Sequence, residues 1–592
     1  MSRKTVASML ALCMALSMAG CASKPAEPTP EPETKTTYTA GTYTATAKGM
    51  KGDVTVEVTF DESGMTAAAV KEQAETFGIG YGMENTPVEA IPAAVVANQS
   101  LAVDNVTGAT ITTAAIKTAI ADTVAQAGGD AEAWKNAPVA KEETKDETYD
   151  VDIVVVGAGA AGLSAAISAK DAGADVLVLE KQSITGGSTA RSGGKVLAAG
   201  TDFITELGQD NNPELLYDYL LKTGKDFINE DLLKPFVMDS AANLDWLSEQ
   251  GVVFEDVEAV HSNLPIWWVH NTEGKSGMTD GHGGLISVPM TKTLNEKGGK
   301  ILYNTPATEL IVTDGAVKGV KSVRADGTTV TVNADSVILC TGGYAQNREM
   351  LARIPGDEGY ISSVPAGNVG DGIVMAEAVG AKVYDSPSAA PVFIDLTCGV
   401  GGGENGGLMV SSTGERIVNE YTYQFHTGRA IEATGTPYGY YIATSNDPNQ
   451  AVQYGMTLEK TAQAATVEEL AEKIGMDAAT LKATVDRYNE MCAKGVDDDF
   501  GKKADHLWPI EGDMIYAFKM VPIISFTLGG LCLDTEAHVL DVNDQPIKGL
   551  YAAGEVAFTG LIGDDYPSCG MAIGASVYYA RQAAATAVAE NK

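Results

Sequence analysis

The chain has 592 residues, 45% of them hydrophobic, and its 41 basic and 78 acidic side chains give a net charge of −37. A surface this acidic repels phosphate backbones and argues strongly against nucleic-acid binding. The composition, with 64 glycines and 22 prolines, also excludes a collagen, a coiled coil and a wholly disordered chain. The length predicts about four globular units.

The first 21 residues are typical of a secretory signal. Arg3 and Lys4 give a positive start, and the apolar run Val6–Met18 is shorter than the roughly 20 residues that span a bilayer. The run ends at Met18-Ala19-Gly20-Cys21, which resembles the bacterial lipobox, whose cysteine becomes the lipidated N-terminus. The alternative is a plain cleavable signal with an incidental cysteine. Residues 22–36 are Pro/Glu-rich and predict a stiff tether, so we expect a lipoprotein on the extracytoplasmic face of the cell membrane.

Cysteines and histidines show no metal-ligating pattern. The five cysteines outside the signal are scattered without a C-x-x-C, which excludes a c-type haem and argues against an iron–sulfur cluster or structural zinc. We predict no metal. The six histidines, also without ligand spacing, stand at positions 261, 270, 282, 426, 506 and 538.

The order of strand-like, helix-like and glycine-rich segments predicts several consecutive domains. An alternating strand at 54–60 and a helix near 111–127 indicate a small α+β domain. Further on, strand, Gly-rich turn, helix and strand follow one another, which indicates a parallel α/β sheet, interrupted by a more polar, helix-rich insertion. The predicted boundaries are 37–128 for the first domain, 129–148 for a linker, 149–382 and 516–592 for the α/β domain, and 383–515 for the insertion.

A dinucleotide site is predicted at the start of the α/β domain. The apolar strand Asp152–Val156 leads directly into the fingerprint Gly157-Ala158-Gly159-Ala160-Ala161-Gly162 and a helix. The first glycine permits the turn, the second lets a pyrophosphate approach, and the third lets helix and strand pack. A second strand ends in Glu180, 23 residues beyond Gly157, where a carboxylate accepts from a ribose hydroxyl.

The motifs that follow favour FAD over NAD. They are Gly186-Gly187-Ser188-Thr189-Ala190, Ser192-Gly193-Gly194, Cys340-Thr341-Gly342-Gly343, Gly370-Asp371-Gly372 and Gly549-Leu550-Tyr551-Ala552-Ala553-Gly554-Glu555. Their order resembles the fumarate reductase/succinate dehydrogenase flavoprotein superfamily over residues 150–590. That resemblance implies a Rossmann-like FAD-binding domain with non-covalent FAD and an inserted α+β capping domain that closes over substrate. Beyond Gly157, Gly159, Ala161, Gly162 and Glu180, the implied FAD-binding residues are Lys181, Gly186, Gly187, Ser188, Thr189, Ser192, Gly193, Gly194, Gly342, Gly343, Asp371, Gly554 and Glu555.

A second flavin is predicted in the first domain. The run Asp104-Asn105-Val106-Thr107-Gly108-Ala109-Thr110 resembles the D-x-x-[S/T]-G-A-T motif of FMN-binding domains. In that family the last threonine, here Thr110, carries FMN through a phosphodiester installed by a flavin transferase. The alternative is a Thr-rich turn that caps the following helix. FMN plus FAD without haem suggests electron flow from a membrane donor, quinol- or NADH-linked, through FMN to FAD and then to an unsaturated small molecule.

The catalytic residues depart from the resemblance. Fumarate and urocanate reductases of the family deliver hydride from FAD to a β-carbon, protonate the α-carbon from a cap arginine, and clamp the carboxylate with a further arginine and a histidine. In this chain, alignment places Gly403, followed by Glu404, where the family has its proton-donating arginine. Phe526 replaces the family's histidine, and the run Asp564–Gly570 replaces its second arginine. Acidic side chains there would repel a dicarboxylate, which argues against fumarate as substrate.

The run Tyr566-Pro567-Ser568-Cys569-Gly570 instead resembles the Y-P-x-x-G of 3-ketosteroid dehydrogenases. There the tyrosine hydroxyl and the glycine N–H bind the substrate's ketone oxygen, which implies a carbonyl-polarising pair at Tyr566 and Gly570. The alternative is that Tyr566 only packs against the flavin. Candidates for the proton donor are Tyr421, Tyr423 and Glu404, and the sequence does not choose among them.

Two further features are weaker candidates. His282 lies in a Gly-rich stretch and is either near the flavin or structural, and Trp267-Trp268 either line a pocket or fill a core. We therefore expect an FAD-dependent reductase of an activated C=C bond that serves anaerobic respiration. The rivals are a fumarate or urocanate reductase proper, a ketosteroid-type dehydrogenase working oxidatively, and an electron-transfer protein with a degenerate second site.

Overall fold

The computed structural model describes residues 37–592 apart from several internal segments. The predicted signal and tether, residues 1–36, therefore lie outside the described residues. Among those described, no helix combines the length and apolarity needed to cross a bilayer. Only the backbone is described at residues 260, 261, 264–267, 390 and 424. The internal segments outside the description are 76–85, 107–108, 140–144, 225–226, 262–263, 273–281, 355–359, 387–388, 402–406, 423 and 564–565.

The amino-terminal domain is a three-stranded antiparallel meander covered by helices. Val54, Val56, Val58 and Phe60 alternate onto the buried face, as the period of two in the sequence predicts. The domain extends past the predicted boundary at 128, because Trp134 is buried in the same core. Its elements are β1 Gly41–Lys48, β2 Asp53–Asp61, β3 Gly64–Glu72, α1 Pro87–Asn98, α2 Thr110–Gln126 and α3 Ala131–Asn136.

The second domain is built on an eight-stranded sheet. Its first strand begins at Glu147, and the four residues Ile153–Val156 are all buried, as expected for a strand covered on both faces. The strands up to the cap are β4 Glu147–Val156, β5 Val176–Leu179, β6 Lys195–Leu197, β7 Phe254–His261, β8 Leu264–Thr272, β9 Lys300–Leu302, β10 Ala307–Thr313, β11 Ala316–Val323 and β12 Thr329–Leu339. The helices are α4 Ala160–Asp171, α5 Gly187–Arg191, α6 Asp202–Glu206, α7 Pro213–Gly224, α8 Glu230–Met238, α9 Ser240–Glu249, α10 Gly284–Glu296, α11 Arg348–Leu351 and α12 Asp371–Glu377.

The cap is a six-stranded sheet with helices on it. A buried ion network fixes its interior: Arg416 pairs with Glu420 at 2.8 Å and Asp497 at 2.9 Å, and Lys502 lies 3.3 Å from Glu420. The strands are β13 Ile361–Ser362, β14 Val383–Tyr384 (paired outside this sheet), β15 Ala389–Ile394, β16 Leu408–Ser411, β17 Gly439–Thr444, β18 Ala462–Ala464 and β19 Ile515–Thr527. The helices are α13 Gln424–Glu432, α14 Gln450–Met456, α15 Val467–Ile474 and α16 Ala478–Lys494, with a 3₁₀ turn at Ala504–His506.

The chain then returns to the large sheet. β22 pairs in parallel with β12, and the long final helix packs on α4 with small residues such as Ala580 and Ala584 fully buried. The cap does not end at 515 as predicted, since β19 runs on to Thr527 and pairs with both β17 and β15. The last elements are β20 Gly530–Leu531, β21 His538–Leu540, β22 Pro546–Ala552 and α17 Met571–Glu590.

The end of α17 is fastened to β21 through His538. The two ring nitrogens lie 2.9 Å from Asp534 and 3.0 Å from Glu590, and Tyr551 also donates to Glu590. Burial opposes the charged ring, but the two carboxylates outweigh it, so the pKa of His538 is raised above 6.5.

A raised pKa means that the folded state binds the proton more tightly than the unfolded state. The stabilisation by His538 is therefore complete below pH 6.5 and is lost as pH rises through the folded pKa. The melting temperature of wild type should exceed that of His538→Gln at pH 6. We expect this difference, measured by calorimetry, to shrink as the pH is raised to 9. A pH-independent difference between the two would contradict this assignment.

Candidate active site

The loops that follow four parallel strands meet at one edge of the large sheet. β4, β5, β12 and β22 are mutually parallel through their pairings, so their carboxyl ends lie together. This is where open α/β sheets bind ligands. A cavity of about 790 Å³ lies there, lined by residues that follow each of the four strands.

The glycines of the first loop divide into packing positions and an open position. Gly157 has φ +106° and lies against the Cys340 carbonyl, and a Cβ on Gly162 would stand 1.8 Å from the Gly157 oxygen. A Cβ on Gly159 would meet only the Gly186 oxygen, at 3.8 Å, so the cavity is open there. Helix α4 begins at Ala160, and its N-terminal N–H groups suit a pyrophosphate. The cradle therefore fits a dinucleotide.

Two single alanine substitutions should separate packing from binding. Gly162→Ala forces a backbone shift in the loop, and we expect it to destabilise the apoprotein by about 1–3 kcal/mol, as overpacking does. Gly159→Ala meets open space, so we expect an unchanged apoprotein melting temperature and about tenfold weaker FAD binding, near 1.4 kcal/mol. Urea unfolding and FAD titration measure the two effects. Equal behaviour of the two variants would contradict the division.

Glu180 and Lys181 lie at the cavity wall directly after β5. The Glu180 carboxylate accepts from the N–H groups of Ala158 at 2.8 Å and Gln182 at 2.7 Å, and burial raises its pKa. Lys181 pairs with Asp371 and donates to the Gly367 carbonyl at 2.8 Å. Both predicted side chains thus line the cavity, where they also fasten the surrounding loops.

The 186–194 segment forms a second wall. The Thr189 hydroxyl accepts from the Ala160 N–H at 3.2 Å, which ties this segment to the start of α4. Gly194, at the end of the segment, does not line the cavity. A Cβ on Gly194 would stand 2.8 Å from the His282 carbonyl oxygen. The lining residues of this segment are Gly187, Ser188, Thr189, Ser192 and Gly193, together with Ala190 and Arg191, while Gly186 lies behind them with φ +109°.

Glu555 joins the two halves of this domain beside Gly554. Its buried carboxylate accepts from the Thr527 N–H at 2.9 Å and the Asn368 amide at 3.1 Å, and burial raises its pKa. A Cβ on Gly343 would stand 2.3 Å from the carboxylate, which explains a glycine there, while Gly342 lines the cavity. In the described chain the buried Thr341 hydroxyl at this wall has no hydrogen-bond partner, which suits a polar ligand.

Aromatic side chains form the other end of the cavity. The Tyr566 ring lies 4.5 Å from Phe526 and 5.0 Å from Phe425, centroid to centroid. The Tyr566 hydroxyl accepts from the Ala572 N–H at 3.0 Å, in the first turn of α17, and burial raises the pKa of Tyr566. The remaining apolar lining here comprises Val392, Ile394, Ile523 and Phe558.

In the amino-terminal domain, Thr110 is exposed and is the first residue of the 17-residue helix α2. Its N-cap residue, Ala109, offers no side-chain cap. Helix N-terminal N–H groups favour a phosphate, so a hydroxyl at this place fits the predicted attachment. Lys117, two turns along, donates to Asn105 at 2.8 Å and to the Val103 carbonyl. Lys117 thereby holds the start of the D-x-x-[S/T]-G-A-T-like run 104–110 against the helix.

Comparisons with known proteins agree with this geometry. Residues 152–573 match the FAD binding domain family and residues 49–125 match the FMN-binding domain family. The chain belongs to the FAD-dependent oxidoreductases. It is 32% identical to urocanate reductase of Eggerthella lenta, with 93% of each chain covered. It is 31% identical to vinyl phenol reductase of Lactiplantibacillus plantarum, covering 71% of this chain and 92% of that protein.

Solved structures show the same fold for the FAD-binding part. The 3-ketosteroid-Δ4-(5α)-dehydrogenase of Rhodococcus jostii superposes with a TM-score of 0.65 at 28% identity, over 74% of this chain and 97% of that one. By contrast, the chain spans only about half the length, 49%, of NADH:fumarate oxidoreductase of Klebsiella pneumoniae. The expectation of a flavoprotein oxidoreductase with an FAD-binding and an FMN-binding domain is confirmed.

The structure places the predicted catalytic residues unevenly. Tyr566 and Gly570 line the aromatic end of the cavity, and Gly570, at φ +83°, lies against the backbone of β6 with a Cβ position 2.5 Å from the Leu197 nitrogen. Tyr421 stacks on His506 at 3.4 Å in the cap and is outside the lining. Glu404 and Tyr423, the other candidate proton donors, lie outside the described residues, as do Asp564 and Asp565.

The weaker candidates fall behind the cavity wall. Trp268 is fully buried in the main core, which is the core-filling alternative, and only the backbone of Trp267 is described. His282 does not line the cavity, and its carbonyl lies close to Gly194. Two lining residues, Phe425 and Asn368, were not predicted from the sequence. The only sequence signal for Phe425 was its place in the cap, and for Asn368 its place just before the turn at Gly370.

Proposed function

We propose that this FAD-dependent oxidoreductase reduces a C=C bond conjugated to a carbonyl in an apolar small molecule. The aromatic end of the cavity carries this proposal. Among the described residues of the segments 392–394, 425, 523–526 and 558–576, no lining side chain is charged. The cationic lining residues Lys51, Lys181, Arg191 and Lys195 belong to other segments, and Lys181 and Lys195 pair with Asp371 and Glu258.

An apolar aromatic surface suits an aryl or alicyclic substrate better than a dicarboxylate. A carboxylate buried there without a cation would lose its hydration uncompensated. The relatives support a carbon–carbon double bond as the reacting group, because their names include urocanate reductase and vinyl phenol reductase. The likeness to a ketosteroid dehydrogenase supports a cyclic ketone as the activating group.

Bound FAD, once reduced, would supply the hydride that such a reduction requires, and the second hydrogen is added as a proton. The residues of the chain supply position and polarity. The Tyr566 hydroxyl, kept protonated by its raised pKa, donates to the carbonyl oxygen of the substrate while accepting from the Ala572 N–H. Negative charge that develops on that oxygen is stabilised by the donor, together with the Gly570 N–H and the start of α17.

Electrons reach FAD, in this proposal, from a membrane donor through FMN attached to Thr110 by a flavin transferase. The Pro/Glu-rich residues 22–36 and the lipobox-like Met18–Cys21 support a lipid anchor on the extracytoplasmic face. A Cys21→Ser variant should lose labelling by a fatty acid and leave the membrane fraction on ultracentrifugation. Unchanged fatty-acid labelling and membrane association would contradict the anchor.

The deciding experiment is anaerobic. The protein is reduced with a viologen dye, and unsaturated acids and enones are screened for reoxidation of the dye. We expect turnover with aryl or cyclic enones and little with fumarate. Rapid turnover with fumarate or urocanate would show that a carboxylate clamp exists elsewhere in the chain.

The ketosteroid-dehydrogenase likeness also makes an oxidative direction the second candidate, since the same residues serve both directions. Oxidised dye with saturated ketones tests it. Faster turnover in this arm than in the reductive arm would reverse the assigned direction.

A further inference from the structure

The turn between β1 and β2 of the FMN-binding domain lines the FAD cavity. Met50 and Lys51 stand among the lining residues although the rest of that lining comes from residues 156–576. Met50 is 65% exposed. The turn therefore presents an apolar and a cationic side chain at the mouth of the cavity.

The turn is closely packed against the segment that follows β3. The Gly49 N–H donates to the Gly52 carbonyl at 2.7 Å. A Cβ on Gly49 would stand 2.4 Å from the Glu75 carboxylate, and one on Gly52 would stand 2.9 Å from the Ala74 Cβ. The two glycines thus let the turn sit directly on the end of β3, and only Met50 and Lys51 project from it.

Glu75 connects this turn to the helix that carries Thr110. Its carboxylate accepts from the Lys51 N–H at 3.1 Å and from the Thr112 hydroxyl. Burial opposes the charge of Glu75, but these hydrogen bonds and those from the Met50 and Gly52 N–H groups outweigh it and lower its pKa. A charged carboxylate thus ties the cavity-lining turn to the first turn of α2, where Thr110 stands two residues before Thr112.

We propose that the turn 49–52 is the surface by which the FMN-binding domain docks at the FAD cavity, and that Glu75 is the positioning residue that sets the distance between the two flavins. The inference rests on the proposed function in that electrons pass from FMN to FAD. For each substrate reduced, two electrons leave reduced FMN and enter FAD, and the accompanying protons exchange with water. The membrane donor then restores the two electrons to FMN.

Laser-flash reduction of the oxidised holoenzyme with 5-deazariboflavin tests the docking without substrate. The spectral phase for electron redistribution between the flavins is followed in wild type, Glu75→Gln and the double variant Met50→Ser/Lys51→Ser. Glu72→Gln, at the exposed end of β3, is the matched control. FMN content, by fluorescence on a denaturing gel, and melting temperature are recorded for each.

We expect electron redistribution to slow by about tenfold or more in Glu75→Gln and in the double variant, with FMN content unchanged. Both changes would displace one flavin relative to the other, and a small misplacement of reacting groups is enough to lower a rate by this much. Glu72→Gln should match wild type. Wild-type rates in both the Glu75 and the turn variants would overturn the docking. No redistribution in wild type itself, as in the FMN-free Thr110→Ala protein, would instead overturn the relay and the docking with it.

Discussion

Replacing Thr110 by alanine should abolish covalent FMN and, with it, turnover driven by membranes that contain the donor. Viologen-driven turnover should persist, because no described residue of α2 lines the FAD cavity. The physical reason is that the Thr110 hydroxyl, exposed at the start of α2, is the proposed attachment point for the FMN phosphate. In-gel flavin fluorescence and the two activity assays measure the three quantities.

Thr118→Ala provides the matched control for this substitution. Thr118 is exposed on the same helix two turns further along, so the variant makes an equal chemical change away from the helix start. It should keep FMN and both activities. An equal loss of both activities in Thr110→Ala would contradict the relay, and retained gel fluorescence would place the FMN on another residue.

Tyr566→Phe should lower kcat by roughly ten- to a thousandfold, the usual effect of removing one oxyanion donor. The phenylalanine keeps the ring contacts with Phe526 and Phe425. It loses the hydroxyl that accepts from the Ala572 N–H and that, in the proposed function, donates to the substrate. We expect unchanged FAD content and a small fall in melting temperature, because the Ala572 N–H loses its acceptor. The effect on turnover should be confined to the chemical step in anaerobic steady-state kinetics.

The tyrosine of the cap serves as the control here. Tyr421→Phe removes a hydroxyl from a ring stacked on His506, outside the cavity lining, and should leave kcat at the wild-type value. A wild-type kcat for Tyr566→Phe would leave that residue with packing alone, and the carbonyl would then be polarised by other groups.

The parts of the site that are local in sequence could be predicted. The strand Asp152–Val156, the glycine loop and helix α4 follow one another without a break, so composition and spacing determine their arrangement. Glu180 was predictable because β5 is the neighbouring strand. The position of Thr110 at the start of α2 was likewise predictable, since its motif and its helix are contiguous, while its role in FMN attachment stays a prediction.

The parts that depend on distant pairings could not be predicted. Glu555 meets Asn368 across 187 positions of the chain, and no local pattern connects them. Phe425 reaches Tyr566 only because the cap sheet folds over the cavity. The predicted end of the cap at 515 differs from the structure for the same reason. The beginning of β19 pairs with β17 in the cap sheet, and its last residue, Thr527, donates to Glu555 in the FAD-binding domain.

Trp134 closes the FMN-binding domain only a dozen residues before β4 begins at Glu147. A segment of that length reaches at most about 40 Å when fully extended. The local concentration of one flavin domain around the other is therefore of millimolar order, whatever the concentration of the protein. In the proposed relay, electron transfer from FMN to FAD is first order in enzyme and insensitive to dilution, so this step has the same rate per molecule in a sparse population as in a crowded one.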